Sequence, residues 1–486
     1  VVMPSLLKSA QLKPDVQVTD LEDGPGDDEE DDEVEVIAVG DKRISIRTSV
    51  LEEKATACNM LCCYVDELSY GFFEYIQPTV ETMVPLLDFY FHEDVRKAAV
   101  ASLPDILRAG KAAVEKGRTQ DPNYFKALVT FVVPPLVTAL SKEPETEIQA
   151  AMLESLADCA GVAGELISEH IGSMIEQFQK TLSNSLERRH ERNKRAVDEN
   201  FDAEEHEALQ DEQAAEDEVF DQFAECVGSL LRSLKAPVLP LIEPLLAQYV
   251  APMLLPDRSP EERRIAVCVF DDVFEHASEG GASLRYLDGF VGPCLAGCDD
   301  SDVDVRQASV YGVGVMAVGA GAAFAPHVPG ALEALAKVIQ APDARSEENL
   351  NATENAVSAL GKLCESQRSA IPGAERVVPQ WLSCLPLTED TVEARVVHEQ
   401  LVRMLTAGDP HLLGANNEHL AKVVKVFATA MPTANLSEKL QLCTVETCAK
   451  MKVLLGQMQT GMAEQLGAAF AQLAPEEQAG LQAAMA

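Results

Sequence analysis

The sequence is short of positive charge: 39 Lys and Arg stand against 79 Asp and Glu in 486 residues, a formal net charge of −40. A field of that sign repels phosphate backbones and anionic lipid and attracts basic partners over long range, so nucleic acid and membranes are poor candidates as direct ligands. Long apolar runs are also missing. Proline or charge breaks each one well short of the roughly 20 residues that a membrane helix needs, and the opening VVMPSLLKSAQLKPD lacks the basic and apolar parts of a secretion signal. The chain is expected to be soluble and unsecreted. Because its first residue is Val inside helix-like sequence, it is also expected to be a fragment of something longer. None of the 12 cysteines forms a CxxC pair, which argues against zinc and against a disulfide framework. Cys58, Cys62, Cys63, Cys159, Cys226 and Cys268 lie in apolar periodic segments and are expected as reduced, buried thiols. No GxxxxGK[ST], HExxH or GxSxG occurs, so phosphate cradling, zincin chemistry and the nucleophile elbow have no support.

Strand-like alternation is nearly absent as well, and what fills the chain is repetition. One recurring half-pattern is an apolar helix with a proline near its middle, around Pro85, Pro134, Pro244, Pro293, Pro329 and Pro379. The other is an acidic or polar turn followed by a helix of small and apolar residues, as in HEDVRKAAVASLPDIL from His92 and SDVDVRQASVYGVGVMAV from Ser301. Aligning Lys54, Arg96, Ile148, Arg264, Arg306, Asn351 and Ala394 gives successive spacings of 42, 52, 116, 42, 45 and 43, the 116 leaving room for two units, one of them enlarged. A period of about 40–47 residues made of two amphipathic helices, neither able to bury its apolar face alone, points to stacked HEAT or armadillo pairs. The expected fold is therefore all-α, a HEAT-repeat superhelix (solenoid) of nine or ten units.

Three segments depart from the repeat. Residues 34–48, VEVIAVGDKRISIRT, place two β-branched runs around Gly40-Asp41 and predict a small hairpin inserted in the first unit. Residues 20–35 hold eleven acids and no Lys or Arg, the composition of a loosely tethered acidic loop. Residues 187–195, ERRHERNKR, are basic, and 196–221 then carry twelve acids; this block reads either as a long solvated helix or as a flexible insertion. The expected organisation is a partial first repeat over 1–70 with an acidic insertion at about 14–48, repeats over 71–182, an enlarged repeat over 183–235, repeats over 236–460, and a cap over 461–486.

Chemistry-bearing groupings are few. Gly312, Gly314 and Ala317 match GxGxxA, but the dinucleotide fingerprint must follow a strand, and here it lies inside a predicted helix, where small residues serve close packing. Asp271, Asp272, Glu275 and His276 could be imagined as an acid–base set; acids recur at the same place in other units, at Glu154 and Glu354, so a repeated structural or binding role is more economical than catalysis. Trp381 reads as core. Arg96 and Arg306, each after an acid at the start of a second helix, read as rungs bonding one unit to the next. What remains for function is the surface: acids on the lining helices, Asp271, Asp272, Glu275 and Glu354, are the candidate contacts for Lys- and Arg-rich segments of partner proteins. No enzyme activity, cofactor or metal is expected.

Several ordered runs resemble a known family: CVFDDVFEH at 268–276, VRQASVYGVGVMA at 305–317, ENLNATENAVSA at 348–359, VPQWLSCLPL at 378–387, LEEKATACNML at 51–61, the stretch 86–96 and LQDE at 209–212. Together they are similar to the importin-beta (karyopherin-beta) superfamily, within it to the importin beta-3 or importin-5 (Ran-binding protein 5) subfamily, over essentially the whole chain and corresponding to the carboxyl-terminal half of such a receptor. The resemblance implies HEAT repeats, basic cargo bearing nuclear localisation signals, release by Ran-GTP, docking on phenylalanine-glycine nucleoporins, and shuttling between cytoplasm and nucleus. It also implies that much of the Ran contact and the main signal-binding region belong to repeats this chain mostly lacks. A static scaffold, like the HEAT subunit of a phosphatase, is the alternative that composition alone leaves open.

Overall fold

Helix starts are written into the second half-pattern. Ser259 and Glu262 form a reciprocal capping box at the head of the Pro260–His276 helix, with Pro260 at its first position. Asp302 accepts from the N–H groups of Asp304 and Val305, Asp390 from those of Val392 and Glu393, and Thr444 from that of Thr447, each satisfying donors that a helix N-terminus leaves unpaired. The acidic turns of the repeat are therefore caps.

The computed structural model describes residues 2–13, 16–20, 34–39, 42–195 and 203–485. The acidic stretch 21–33 and the opening of the 196–221 block, 196–202, lie outside the described residues. The chain divides into two compact units, Val1–Tyr249 and Val250–Ala486, a division that falls inside the 236–460 run.

In the first unit the helices Thr48–Leu68, Glu93–Glu115, Thr146–Ala163 and Ala203–Leu234 pack side by side in that order, with Phe73–Met83, Tyr124–Leu140 and Ile171–Arg195 between them in sequence. In the second unit the row is Pro260–His276, Val303–Gly319, Leu350–Ser366, Thr391–Thr406 and Val445–Gly461, interleaved with Leu287–Gly297, Val328–Gln340, Ala374–Cys384 and Leu420–Ala430. Each unit is thus a run of HEAT-type helix pairs, as the periodicity predicts. At the end of the second unit, Ala463–Phe470 and Pro475–Met485 fold onto Leu420–Ala430.

Close approach within the row depends on missing side chains. A Cβ added at Gly312 would stand 2.3 Å from Asp271 Oδ1 and 2.9 Å from Cys294 Sγ, and one at Gly314 would stand 3.0 Å from Lys362 Cδ and 3.1 Å from Ala359 Cα. Gly312 thereby lets Val303–Gly319 meet the helix before it in the row, and Gly314 the helix after it. The GxGxxA match is a packing device. Trp381 is fully buried, its Nε1–H donating to Val357 O at 3.1 Å.

The rungs tie successive pairs. Arg96 lies 3.2 Å from Glu143 and over the Tyr90 ring at 5.3 Å. Arg306 donates to the carbonyls of Asp300 and Ser301 and to Asn349 Oδ1, which heads the next pair. A guanidinium suits this position because its several donors fan out across two turns at once.

Several expectations are corrected. The block 203–234 is one 32-residue helix packed on Thr146–Ala163, not a flexible insertion, because the basic run 187–195 pairs with its acids. Pro329 heads its helix, where a missing N–H costs nothing, rather than sitting mid-helix, and Pro85 lies in a 3-10 turn. The hairpin β2 (Val34–Val39) and β3 (Lys42–Arg47) pairs antiparallel from Val34↔Arg47 to Val39↔Lys42, and a strand the sequence reading omits, β1 (Val16–Asp20), covers the other edge of β3. Cys63 is exposed and Cys62 and Cys268 are half-buried, so they are not core thiols, whereas Cys58, Cys159 and Cys226 are buried. Ala236–Leu254 reaches 19 residues with membrane-like hydropathy, contrary to the short-run expectation; its prolines divide it into short 3-10, α and π turns, and Leu239, Ile242 and Leu245 are buried in repeat packing.

Candidate protein-binding face

In the second unit the exposed edge of the helix row carries polar side chains linked from one helix to the next. On Pro260–His276, Glu275 is exposed and Asp272 half-buried, with His276 Nε2 at 3.4 Å from Asp272 and 3.9 Å from Glu275. The Tyr311 hydroxyl, one helix along, donates to Glu275 Oε2 at 2.7 Å. Lys362, on the following helix, places its ammonium 4.6 Å from the Tyr311 ring centroid and 3.4 Å from Glu393 on the helix after that. Farther along, Arg403 bonds Glu365 at 3.0 Å, and Lys450 reaches back to Glu399 at 3.4 Å. Side chains 31–51 residues apart thus form a nearly continuous ladder in which acids outnumber bases. Burial, followed by the hydrogen bond to Glu275, holds the Tyr311 phenol protonated well above its usual range.

The four candidate acids separate. Asp272 and Glu275 stand on the accessible edge beside His276 and Tyr311. Asp271 does not: it is 4 % exposed, and its Oδ1 has no hydrogen-bond partner. Burial raises its pKa well above the usual carboxylate range, with Asp272 and Glu275 adding to the rise and Lys362 opposing it. Its place on the helix turns it toward Gly312, one helical step from the edge that Asp272 occupies. Glu354, 2 % exposed, is likewise no surface contact, since its carboxylate accepts the N–H groups of Thr388, Glu389 and Asp390 at 3.0, 3.1 and 2.8 Å. It pins the loop that heads the Thr391–Thr406 helix. Glu154, its counterpart in the first unit, is exposed. Tyr311, Lys362 and Glu393 escape sequence reading because their partners sit in other repeats; the usable signal is a polar residue recurring at one helical position in successive units.

The first unit carries a second charged surface, a groove of about 1040 Å³ between Ile171–Arg195 and Ala203–Leu234. Arg188 grips Glu216, Arg189 lies 2.7 Å from Asp217, and Arg195 pairs with Glu212. Glu145, Glu187 and Asp211 are exposed on its lining.

Of metal-ligand groupings among the described residues, Asp272, Glu275 and His276 bring one donor atom each within 4.8 Å of one another.

Comparison with known proteins adds three findings. The model of the family "Importin repeat 6" matches residues 148–254. The chain is 27 % identical to importin subunit beta-3 of Saccharomyces cerevisiae over 446 residues, 90 % of this chain and 39 % of that protein, and 23 % identical to a probable importin-5 homolog of Dictyostelium discoideum over 79 % of this chain and 36 % of that protein. It therefore spans under two fifths of the length of those relatives in each alignment, or close to it. Among solved structures, Kap121p bound to RanGTP superposes with a TM-score of 0.78 at 22 % identity, covering 99 % of this chain and 42 % of that one, and Kap121p bound to Nup53p with 0.75 over 99 % and 41 %. At that identity the likeness is one of fold.

Proposed function

Since the chain belongs to the importin-beta (karyopherin-beta) superfamily, we propose that it works as part of a nuclear transport receptor that grips basic cargo and releases it in response to Ran-GTP. Asp272 and Glu275 carry this reading: two carboxylates on the accessible edge of a repeat row, in a chain of net charge −40, are suited to a Lys or Arg side chain. Partners of the relatives point the same way, one solved Kap121p being bound to RanGTP and another to Nup53p. A row of helix pairs that contact only their neighbours deforms easily, so a second protein binding along the row changes the fit of the first. No covalent chemistry is needed. The face binds and lets go, in cytoplasm and nucleus respectively, and no enzymatic role is assigned to it.

The test is binding of a Lys-rich import-signal peptide to this chain and to its Asp272→Asn/Glu275→Gln variant, with and without Ran-GTP. Exposed ion pairs contribute roughly 0.2–1 kcal/mol each, so the variant is expected to bind about 2- to 30-fold more weakly with the helical circular dichroism unchanged. Equal affinity removes both residues from the site. Peptide binding that ignores Ran-GTP in a receptor carrying all its repeats favours the static scaffold instead.

A further inference from the structure

We propose that Asp272, Glu275 and His276 form a divalent metal site that takes a borderline ion such as Zn²⁺, and that the ion competes with a basic side chain for the same two carboxylates. The competition rests on the functional reading above, whereas the metal site stands without it.

The three residues occupy one turn of the Pro260–His276 helix at i, i+3 and i+4, which places their side chains on one face. Their donor atoms lie within 4.8 Å of one another, with His276 Nε2 at 3.4 Å from Asp272 Oδ1 and 3.9 Å from Glu275 Oε2. Donors at about 2.0–2.1 Å from a tetrahedral zinc stand roughly 3.3 Å apart, so modest side-chain rotation closes the set. An imidazole with two carboxylates and room for water is the donor mixture of an open three-ligand site, and the nitrogen favours zinc over calcium or magnesium.

Two features outside the triad point to a cation. The Tyr311 hydroxyl, donating to Glu275 Oε2 at 2.7 Å from the neighbouring helix, fixes that carboxylate in the way outer partners orient metal ligands. Behind the triad, the buried Asp271 adds a third carboxyl whose Oδ1 has no hydrogen-bond partner, and the nearby cation, Lys362, is drawn off to Glu393 and the Tyr311 ring. A dication at the edge would relieve a concentration of acid that the protein's own bases leave uncompensated. An ordinary ion pair between His276 and Asp272 predicts no such ion.

Zinc binding is measured by competition with a chromophoric chelator, in a Cys63→Ser background that removes the exposed thiol, for this chain and for its His276→Ala form. One ion per chain is expected, with affinity falling roughly tenfold or more on loss of the imidazole, while His327→Ala, on another helix, binds as the parent does. Absence of zinc binding, or equal binding by the His276→Ala form, overturns the site. In a second arm the Lys-rich peptide is titrated with and without Zn²⁺. Weaker peptide binding with zinc in the parent, and no zinc effect in the His276→Ala form, supports competition; zinc bound with peptide affinity unchanged overturns the competition alone. Peptide that fails to bind even without zinc counts against the cargo reading and leaves the metal result intact.

Discussion

Replacing Glu354 separates a structural carboxylate from a partner-binding one. Its two oxygens accept three backbone N–H groups, from Thr388, Glu389 and Asp390, and Asn355 beside it donates to Asp390 Oδ2 at 2.8 Å. Hydrogen bonds to a charged group contribute about 1.5–3 kcal/mol each, but water reaches part of a loop released from its anchor, and single substitutions seldom exceed about 4–5 kcal/mol. Glu354→Ala is expected to cost about 3 kcal/mol, which for a unit of this size lowers the melting temperature by about 6–12 °C. Glu354→Gln keeps one acceptor oxygen and presents an amide donor to the remaining N–H, so its cost is expected at about 2 kcal/mol. Hydrogen exchange of the Thr388, Glu389 and Asp390 amides should accelerate in both variants, and Lys-rich peptide affinity should stay within twofold of the parent. A Glu354→Ala protein that melts with the parent yet loses peptide binding would refute the assignment and return this carboxylate to the binding face.

Stability should also fall with acidity through His398. Fully buried, it accepts the Leu387 N–H at 3.3 Å on Nε2, which leaves Nδ1 to donate to Leu442 O at 2.9 Å, and burial lowers its pKa to about 4. The unfolded imidazole takes a proton from about pH 6.5 downward and the folded one does not, so this contribution is complete above pH 6.5 and shrinks by about 3 kcal/mol as pH falls to 4. Urea unfolding across that range, compared with His398→Asn, reads it as a shallower slope in the variant. Gly312→Ala should destabilise the second unit by about 1–3 kcal/mol through overpacking against Asp271 and Cys294, whereas Gly292→Ala, in a helix with nothing within 4 Å of the new Cβ, should be neutral or stabilising by up to about 1 kcal/mol. Equal midpoints for the two glycine variants would contradict the close helix approach at Gly312.

The sequence by itself determined the repeat, its period and its caps, because hydrophobic spacing and helix-start chemistry are local: Asp302, Asp390 and Thr444 act on N–H groups two or three residues away. It also marked Arg96, Arg306 and Trp381 correctly as groups that belong to the stack, and read Gly312 and Gly314 as packing residues, since a glycine pair inside a helix has few other uses. It ranked Asp271, Asp272, Glu275 and Glu354 alike because all four are acids on lining helices. Only the tertiary structure divided them, leaving Asp272 and Glu275 on the accessible edge and turning Asp271 and Glu354 inward. The fate of the charged block at 187–221 was decided there too, by pairing of Arg188, Arg189 and Arg195 with Glu216, Asp217 and Glu212 across two helices. The physical reason is the same in each case: one helical step, about 100°, moves a side chain from solvent to core, and which side is core depends on neighbours some 40 residues away in the chain.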